Sequence, residues 1–208
     1  MFGPNGQILA VRYSFGTELW DLKRMQRLGW VRFREGGMRS VTFSVDGSML
    51  ASASWDYTSR DDWAQLWMVN TRQPFGARLR GHIGTINQVA FSPNGKMLSS
   101  AGSDKTVRLW DIVSQRPLGE PLSIHGDHVN TVAFSPGGSS LASGCSDGSI
   151  WLWDVNPSSW VERLCRIANR NLTPREWQQY MGSDVPYHCT CPDLPDGRGI
   201  PDRPIHDH

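Results

Sequence analysis

The sequence predicts an all-β protein built by repetition, and two observations carry that prediction. The first is self-similarity at a fixed period. Residues 81–111, GHIGTINQVAFSPNGKMLSSAGSDKTVRLWD, are answered at 125–154 by HGDHVNTVAFSPGGSSLASGCSDGSIWLWD. Phe91-Ser92-Pro93 returns as Phe134-Ser135-Pro136, Asp104 as Asp147 and Trp110-Asp111 as Trp153-Asp154, each pair 43 residues apart. A period of that size marks a supersecondary unit that cannot bury its own apolar faces and stacks on its neighbours to do so. The second observation is punctuation. Runs of strand length, Ile86 to Ser92, Met97 to Ser100 and Thr106 to Asp111, are separated by Pro93-Asn94-Gly95 and by Gly102 to Lys105, the residue types that tight turns require.

With Gly81-His82 at its head and Trp110-Asp111 at its end, the unit resembles the WD-repeat family, in which each repeat is one four-stranded blade of a β-propeller. The three runs become strands a, b and c. Strand d is expected near Pro117 to Ser123, where prolines cost little because d is the outer edge strand of a blade. The resemblance implies a non-catalytic module that binds protein partners through its blade faces and needs no cofactor.

Taken in order, the first unit (1–33) begins in mid-blade. Phe2-Gly3-Pro4-Asn5-Gly6 occupies the place of Phe91-Ser92-Pro93-Asn94-Gly95, so only the last residue of strand a remains; strand b is Gln7 to Tyr13, c is Thr17 to Leu22 and d is Met25 to Val31. Phe2 to Trp20 spans 18 residues against 19 in the third and fourth units, which predicts a shortened b–c hairpin. The second unit (34–80) has Arg34 where the repeat has His and Met68 where it has Asp. Its 24 residues from Phe43 to Trp67 predict an insertion in the b–c turn, within Trp55 to Trp63. The third (81–124) and fourth (125–155) units are regular through strand c, but the fourth supplies no strand d. The expected architecture is a partial propeller of about four antiparallel blades, first and last incomplete, forming an open arc whose end edges are unpaired or covered by a short two-helix tail.

The resemblance also assigns a buried hydrogen-bonded network to His82, Ser100, Asp104 and Trp110, and one repeat later to His125, Ser143, Asp147 and Trp153. Physics supports the assignment, because a buried indole N–H and imidazole each need a partner, and a satisfied network fixes how strands b and c sit. The same residue types form nucleophilic triads; their recurrence at the repeat period favours structure. The candidate partner-binding residues are Trp55, Tyr57, Arg60 and Trp63, three aromatics and an Arg of the kind enriched in binding hot spots, on a turn expected to project from rigid strands. The competing reading folds those aromatics back onto the second and third blades.

After Asp154 the pattern changes to helical spacing. Ser159-Trp160-Val161-Glu162 reads as a capping box opening a helix over about 160–169, and Thr173-Pro174-Arg175-Glu176 opens a second that Gly182 ends. Residues 184–208, rich in Pro, Asp and Gly, read as loop. Arg163, Arg166 and Arg170 are read as a solvated face near a helix C-terminus, and Asn171-Leu172-Thr173 as a cap, not a glycosylation acceptor. Residues 165–195, CRIANRNLTPREWQQYMGSDVPYHCTCPDLP, resemble the tail that follows the propeller in bacterial signal-transduction NTPases of the STAND class. No G-x-x-x-x-G-K-[ST] loop occurs, so only the sensor end of such a protein is represented, and the propeller or NTPase part upstream is a further expected partner.

The 208 residues carry 21 basic and 20 acidic side chains for a net charge of +1. Without clustered Lys and Arg, nucleic acid is not expected as a partner. No apolar run of membrane-spanning length and no signal sequence occur, so no membrane role and a cytoplasmic location are expected. Four cysteines do not make a disulfide framework in a chain of this size. His188-Cys189-Thr190-Cys191 with His206 and His208 offers zinc ligands but lacks a second Cys pair, so metal binding or an enzymatic role centred there is an alternative, as is pairing of Cys165 with Cys191. A third reading is a truncated remnant without function.

Overall fold

The computed structural model describes residues 1–32, 37–55, 62–123, 126–160 and 191, which divide into an all-β unit, Met1–Asp154, and a C-terminal unit, Val155–His208. Among the described residues of the first, thirteen strands form four antiparallel sheets. The first blade is β1 (Ile8–Tyr13), β2 (Gly16–Asp21) and β3 (Gln26–Arg32). Its missing strand a survives as one antiparallel bridge from Phe2 to Leu9, anchored where the Met1 ammonium donates to the Ala10 carbonyl at 2.9 Å. The hairpin between β1 and β2 closes in two residues, Ser14-Phe15. The second blade is the four-stranded one: β4 (Gly37–Phe43), β5 (Met49–Trp55), β6 (Trp63–Met68) and β7 (Pro74–Arg80).

The third blade has β8 (Ile86–Phe91), β9 (Met97–Gly102) and β10 (Val107–Asp111). Its strand d is reduced to bridges Trp110 to Pro117 and Val107 to Leu122. Pro117 and Pro121 lack the N–H that a continuous ladder needs. The fourth blade has β11 (Val129–Phe134), β12 (Ser140–Cys145) and β13 (Ile150–Asp154), with no fourth strand among the described residues.

The a–b turns explain the recurring Ser-Pro-Asn-Gly. Ser92 Oγ accepts from Met97 N at 2.9 Å and donates to Asn94 Oδ1 at 2.7 Å, while Lys96 N donates to the same Asn94 oxygen. Ser44 and Asp46 repeat the arrangement in the second blade. The closing residue is left-handed at Gly6, Gly47, Gly95 and Gly138, with φ between 67° and 73°, a conformation that costs a side chain on the order of 1–2 kcal/mol.

Strand alternation gives every blade two unlike faces. One carries a cross-strand Leu–Trp pair, Leu9 with Trp20, Leu50 with Trp67, Leu98 with Trp110 and Leu141 with Trp153. The other sets a small residue beside a leucine: Ala10 with Leu19, Ala51 with Leu66, Ser99 with Leu109 and Ala142 with Leu152. Blades stack leucine face on tryptophan face. One apolar cluster joins Ala10, Leu19 and Val31 to Met38, Phe43, Leu50 and Trp67; the next joins Ala51, Ala64 and Leu66 to Val89, Leu98 and Trp110. Between the third and fourth blades β11 packs on β8 and β9, and Val132 N donates to Gln88 Oε1 at 2.9 Å.

The tail turns helical at 157–160, earlier than the capping box suggests. Asn156 is the cap: its Oδ1 accepts from Ser158 N at 3.1 Å, with Pro157 at the first helical position. Proline there pre-sets φ and loses no hydrogen bond, so Asn156-Pro157 overrides Ser159. The expected first helix beyond Trp160 and the whole of the expected second helix lie outside the described residues. Among the described residues no helix is long and apolar enough to cross a membrane.

Candidate functional site

In the third blade four segments converge on one hydrogen-bonded cluster. The Trp110 indole N–H donates to Ser100 Oγ at 2.9 Å. Ser100 Oγ lies 2.7 Å from His82 Nε2, and His82 Nδ1 lies 3.0 Å from both oxygens of Asp104. With the imidazole neutral and Nδ1 protonated, every proton finds an acceptor: indole to hydroxyl, hydroxyl to imidazole, imidazole to carboxylate. Asp104 also accepts from Ile83 N at 2.9 Å and from Thr106 Oγ1 at 2.8 Å. Burial pushes the Asp104 carboxyl up, but the His82 hydrogen bond, the ring's charge when protonated, the Ile83 amide and the Thr106 hydroxyl outweigh it and hold it at about 2. Thr106 is the member that repeat matching does not reveal, since Ser149 stands in its place in the fourth blade.

This is the residue set of a Ser-His-Asp triad, in nearly its geometry, but Ser100 is 0% exposed and its hydroxyl is engaged by both Trp110 and His82. A nucleophile must reach a substrate carbonyl, and this one faces only protein. The cluster can hold strands together; it cannot attack. The fourth blade keeps the indole contact, Trp153 Nε1 to Ser143 Oγ at 2.9 Å, and Asp147 accepts from Ser149; His125 lies outside the described residues. In the second blade Trp67 Nε1 donates to Ser52 Oγ at 3.0 Å. In the first, Val11 replaces the serine, and Trp20 Nε1 donates instead to Glu18 Oε2 at 3.0 Å, with Glu18 held by Arg27 at 2.5 Å.

Of the hot-spot candidates, Tyr57 and Arg60 lie outside the described residues, and Trp55 closes β5. Trp63 is not part of a projecting turn. It opens β6 opposite Ser54, is 4% exposed, and lies 4.1 Å beneath the Arg78 guanidinium. Sequence spacing places an insertion but not its edges, and pairing has absorbed both flanking tryptophans into strands. The same tryptophan face borders a cleft of about 480 Å³ along the outer strands of the first two blades; the described residues that line it include Trp30, Arg32, Trp63, Trp67, Arg72 and Arg78, and none of the described ones is acidic. Three arginines brought together from residues 32, 72 and 78 leave no local sequence signal. In the C-terminal unit, Cys191 is disulfide-bonded, its partner outside the described residues, and a sulfur so engaged is not available as a thiolate ligand.

The model of the family described as WD domain, G-beta repeat matches residues 31–60, 74–111 and 117–154, just over half of the chain. The chain belongs to the WD-repeat family. Its WD repeats are similar to those of a WD repeat and SOCS box-containing protein 1 from Xenopus tropicalis, 31% identical over 52% of this chain and 25% of that protein. A periodic tryptophan protein 2 homolog from Schizosaccharomyces pombe is 39% identical over 49% of this chain and 11% of its own length. A U5 small nuclear ribonucleoprotein 40 kDa protein from Dictyostelium discoideum is 35% identical over 36% of this chain and 19% of its own length. The chain thus spans a quarter or less of these relatives. WD-repeat domains are generally non-catalytic protein-interaction modules, which agrees with a triad-like cluster sealed inside a blade.

Proposed function

We propose that this chain is a non-catalytic WD-repeat scaffold that recognises proteins at the outer rim of its first two blades, and that it works as the sensing end of a larger signalling protein of the class its tail resembles. The cleft is the observation that carries this reading. Tryptophan and arginine are the residue types that concentrate binding energy, and three guanidiniums among the described lining residues, with no carboxylate among them, favour an acidic segment of a partner. Tyr57 and Arg60, in the sequence that links β5 to β6, are the second part of the proposed surface.

The experiment is quantitative affinity capture with the wild-type chain, with Arg72→Glu plus Arg78→Glu, and with the 56–61 turn cut to the length of the Gly102–Thr106 connection. Partners lost from the charge-reversed chain at unchanged melting temperature support recognition at the cleft. Partners retained by both variants refute it. Partners lost only on shortening move recognition to the turn. Metal analysis of the purified chain separately tests the Cys/His reading: stoichiometric zinc would overturn the non-metal assignment.

A further inference from the structure

Stacking leucine face on tryptophan face leaves the arc with one face of each kind at its ends. At the position of Leu19, Leu66 and Leu109, which are 0%, 0% and 4% exposed, the fourth blade has Leu152 at 78%; at the position of Thr17, Ala64 and Val107, all fully buried, it has Ile150 at 74%. At the opposite end Phe2 stands where Phe43 and Phe91 are buried, and is 66% exposed. Tyr13 and Phe15 of the same blade are also exposed; Phe15 stacks on Trp30 with ring centroids 5.5 Å apart, and Tyr13 meets Trp30 tilted at 5.1 Å.

We propose that these two faces are the halves of one interface, and that a second copy of this chain seats the Leu152 face of its fourth blade on the Trp20 face of the first. The chain builds this joint internally between successive blades. The donor face repeats the pattern of a small residue beside a large one, Ala142 with Leu152, as Ala10 with Leu19 and Ala51 with Leu66. The receiving face repeats the Leu–Trp pair, Leu9 with Trp20, as Leu50 with Trp67. The aromatic group Tyr13, Phe15 and Trp30 widens that face where strand a is short. Asp154 continues the row of Ile150 and Leu152, as Asp21 and Asp111 do beside the internal joints, where they stay part-exposed; Thr131, Ala133, Ala142, Gly144, Ile150 and Leu152 bring no further charge that would have to be desolvated. Isolated exposed leucines are ordinary on protein surfaces. Two neighbouring apolar side chains on a sheet face, at positions buried in every other blade, are not.

The joint is heterologous, since the two faces differ, so it either closes a ring or propagates. Two four-blade arcs joined twice give eight blades, within the roughly four to eight that propellers use. A closed dimer with a two-fold along the ring axis is therefore the expected species.

The test is sedimentation of the full chain over a dilution series, with Leu152→Glu and Tyr13→Glu as variants. The wild type is expected to dimerise reversibly. Each variant should weaken association by roughly a hundredfold or more; Leu152→Glu should melt as the wild-type monomer does, because that side chain is already exposed in the single chain, and Tyr13→Glu slightly lower, having lost its ring contacts with Phe15 and Trp30. Mixing the two variants should restore one intact joint and give a one-to-one dimer, since Leu152→Glu keeps its receiving face and Tyr13→Glu keeps Leu152. A wild-type chain that stays monomeric, whether its end faces are bare or covered by other parts of the polypeptide, overturns the proposal. So does a dimer that survives either substitution, or a mixture that yields none.

Discussion

The first and third blades seat the same indole in different ways. In the third, Trp110 begins a relay through Ser100 and His82 to Asp104, and so ties together strand c, strand b, the segment before strand a and the b–c turn. In the first, Trp20 is satisfied two residues away by Glu18, whose other contact is Arg27 on the adjoining strand. Two features of the sequence explain the difference: Val11 stands where the third blade has Ser100, and the two-residue Ser14-Phe15 hairpin has no place for the turn aspartate. A buried N–H must have an acceptor wherever it falls; a network that also fastens distant segments is an additional function of the third blade.

The largest expected separation between the two blades comes from removing the indoles. Trp110→Ala empties a fully buried site and should cost about 3–5 kcal/mol, whereas Trp20→Ala, half-buried on an end face, should cost on the order of half that. Denaturant unfolding of the two variants measures both, and equal losses would erase the distinction. Next comes Asp104→Ala, which leaves the His82 ring, the Thr106 hydroxyl and the Ile83 amide without their acceptor, at about 2–3 kcal/mol.

The pH dependence sharpens the same point. Because the folded state holds Asp104 at about 2, below its ordinary 3.8, its contribution is in place above about pH 4 and is lost as pH falls toward 2. That contribution is about 2 kcal/mol. Thermal melts between pH 5 and 2 should therefore flatten in Asp104→Asn relative to wild type. Glu18→Gln should be milder, about 1 kcal/mol or less, since the amide oxygen still accepts the indole N–H and the Arg27 end of the ion pair is more than half exposed. The smallest change, within roughly 0.5 kcal/mol, is expected for Val11→Ser, which restores the repeat's serine to the first blade without the histidine that would complete the relay. A large gain there would mean that the hydroxyl alone, and not the relay, does the fastening.

Much of this architecture was legible because it rests on short-range regularities. The 43-residue period, the turn glycines at φ near 70° and the strand limits around Phe91, Trp110 and Trp153 all follow from local conformational preference and alternation. The relay of the third blade was legible for the same reason, since His82, Ser100, Asp104 and Trp110 hold fixed places in a repeat. Thr106 and Glu18 were not, because each replaces a missing or extra contact with whatever side chain the pairing register places within reach.

Tertiary structure alone decided exposure. Leu109 and Leu152 occupy the same repeat position on equivalent strands with equivalent cross-strand neighbours, yet one is buried and the other open. The sequence determined that each would stand on the leucine face of its blade, since side-chain direction follows from alternation along a single strand. Whether that face is covered is decided by the presence of a neighbouring blade, because the free energy of burial belongs to the pair of surfaces that exclude water and not to either residue by itself.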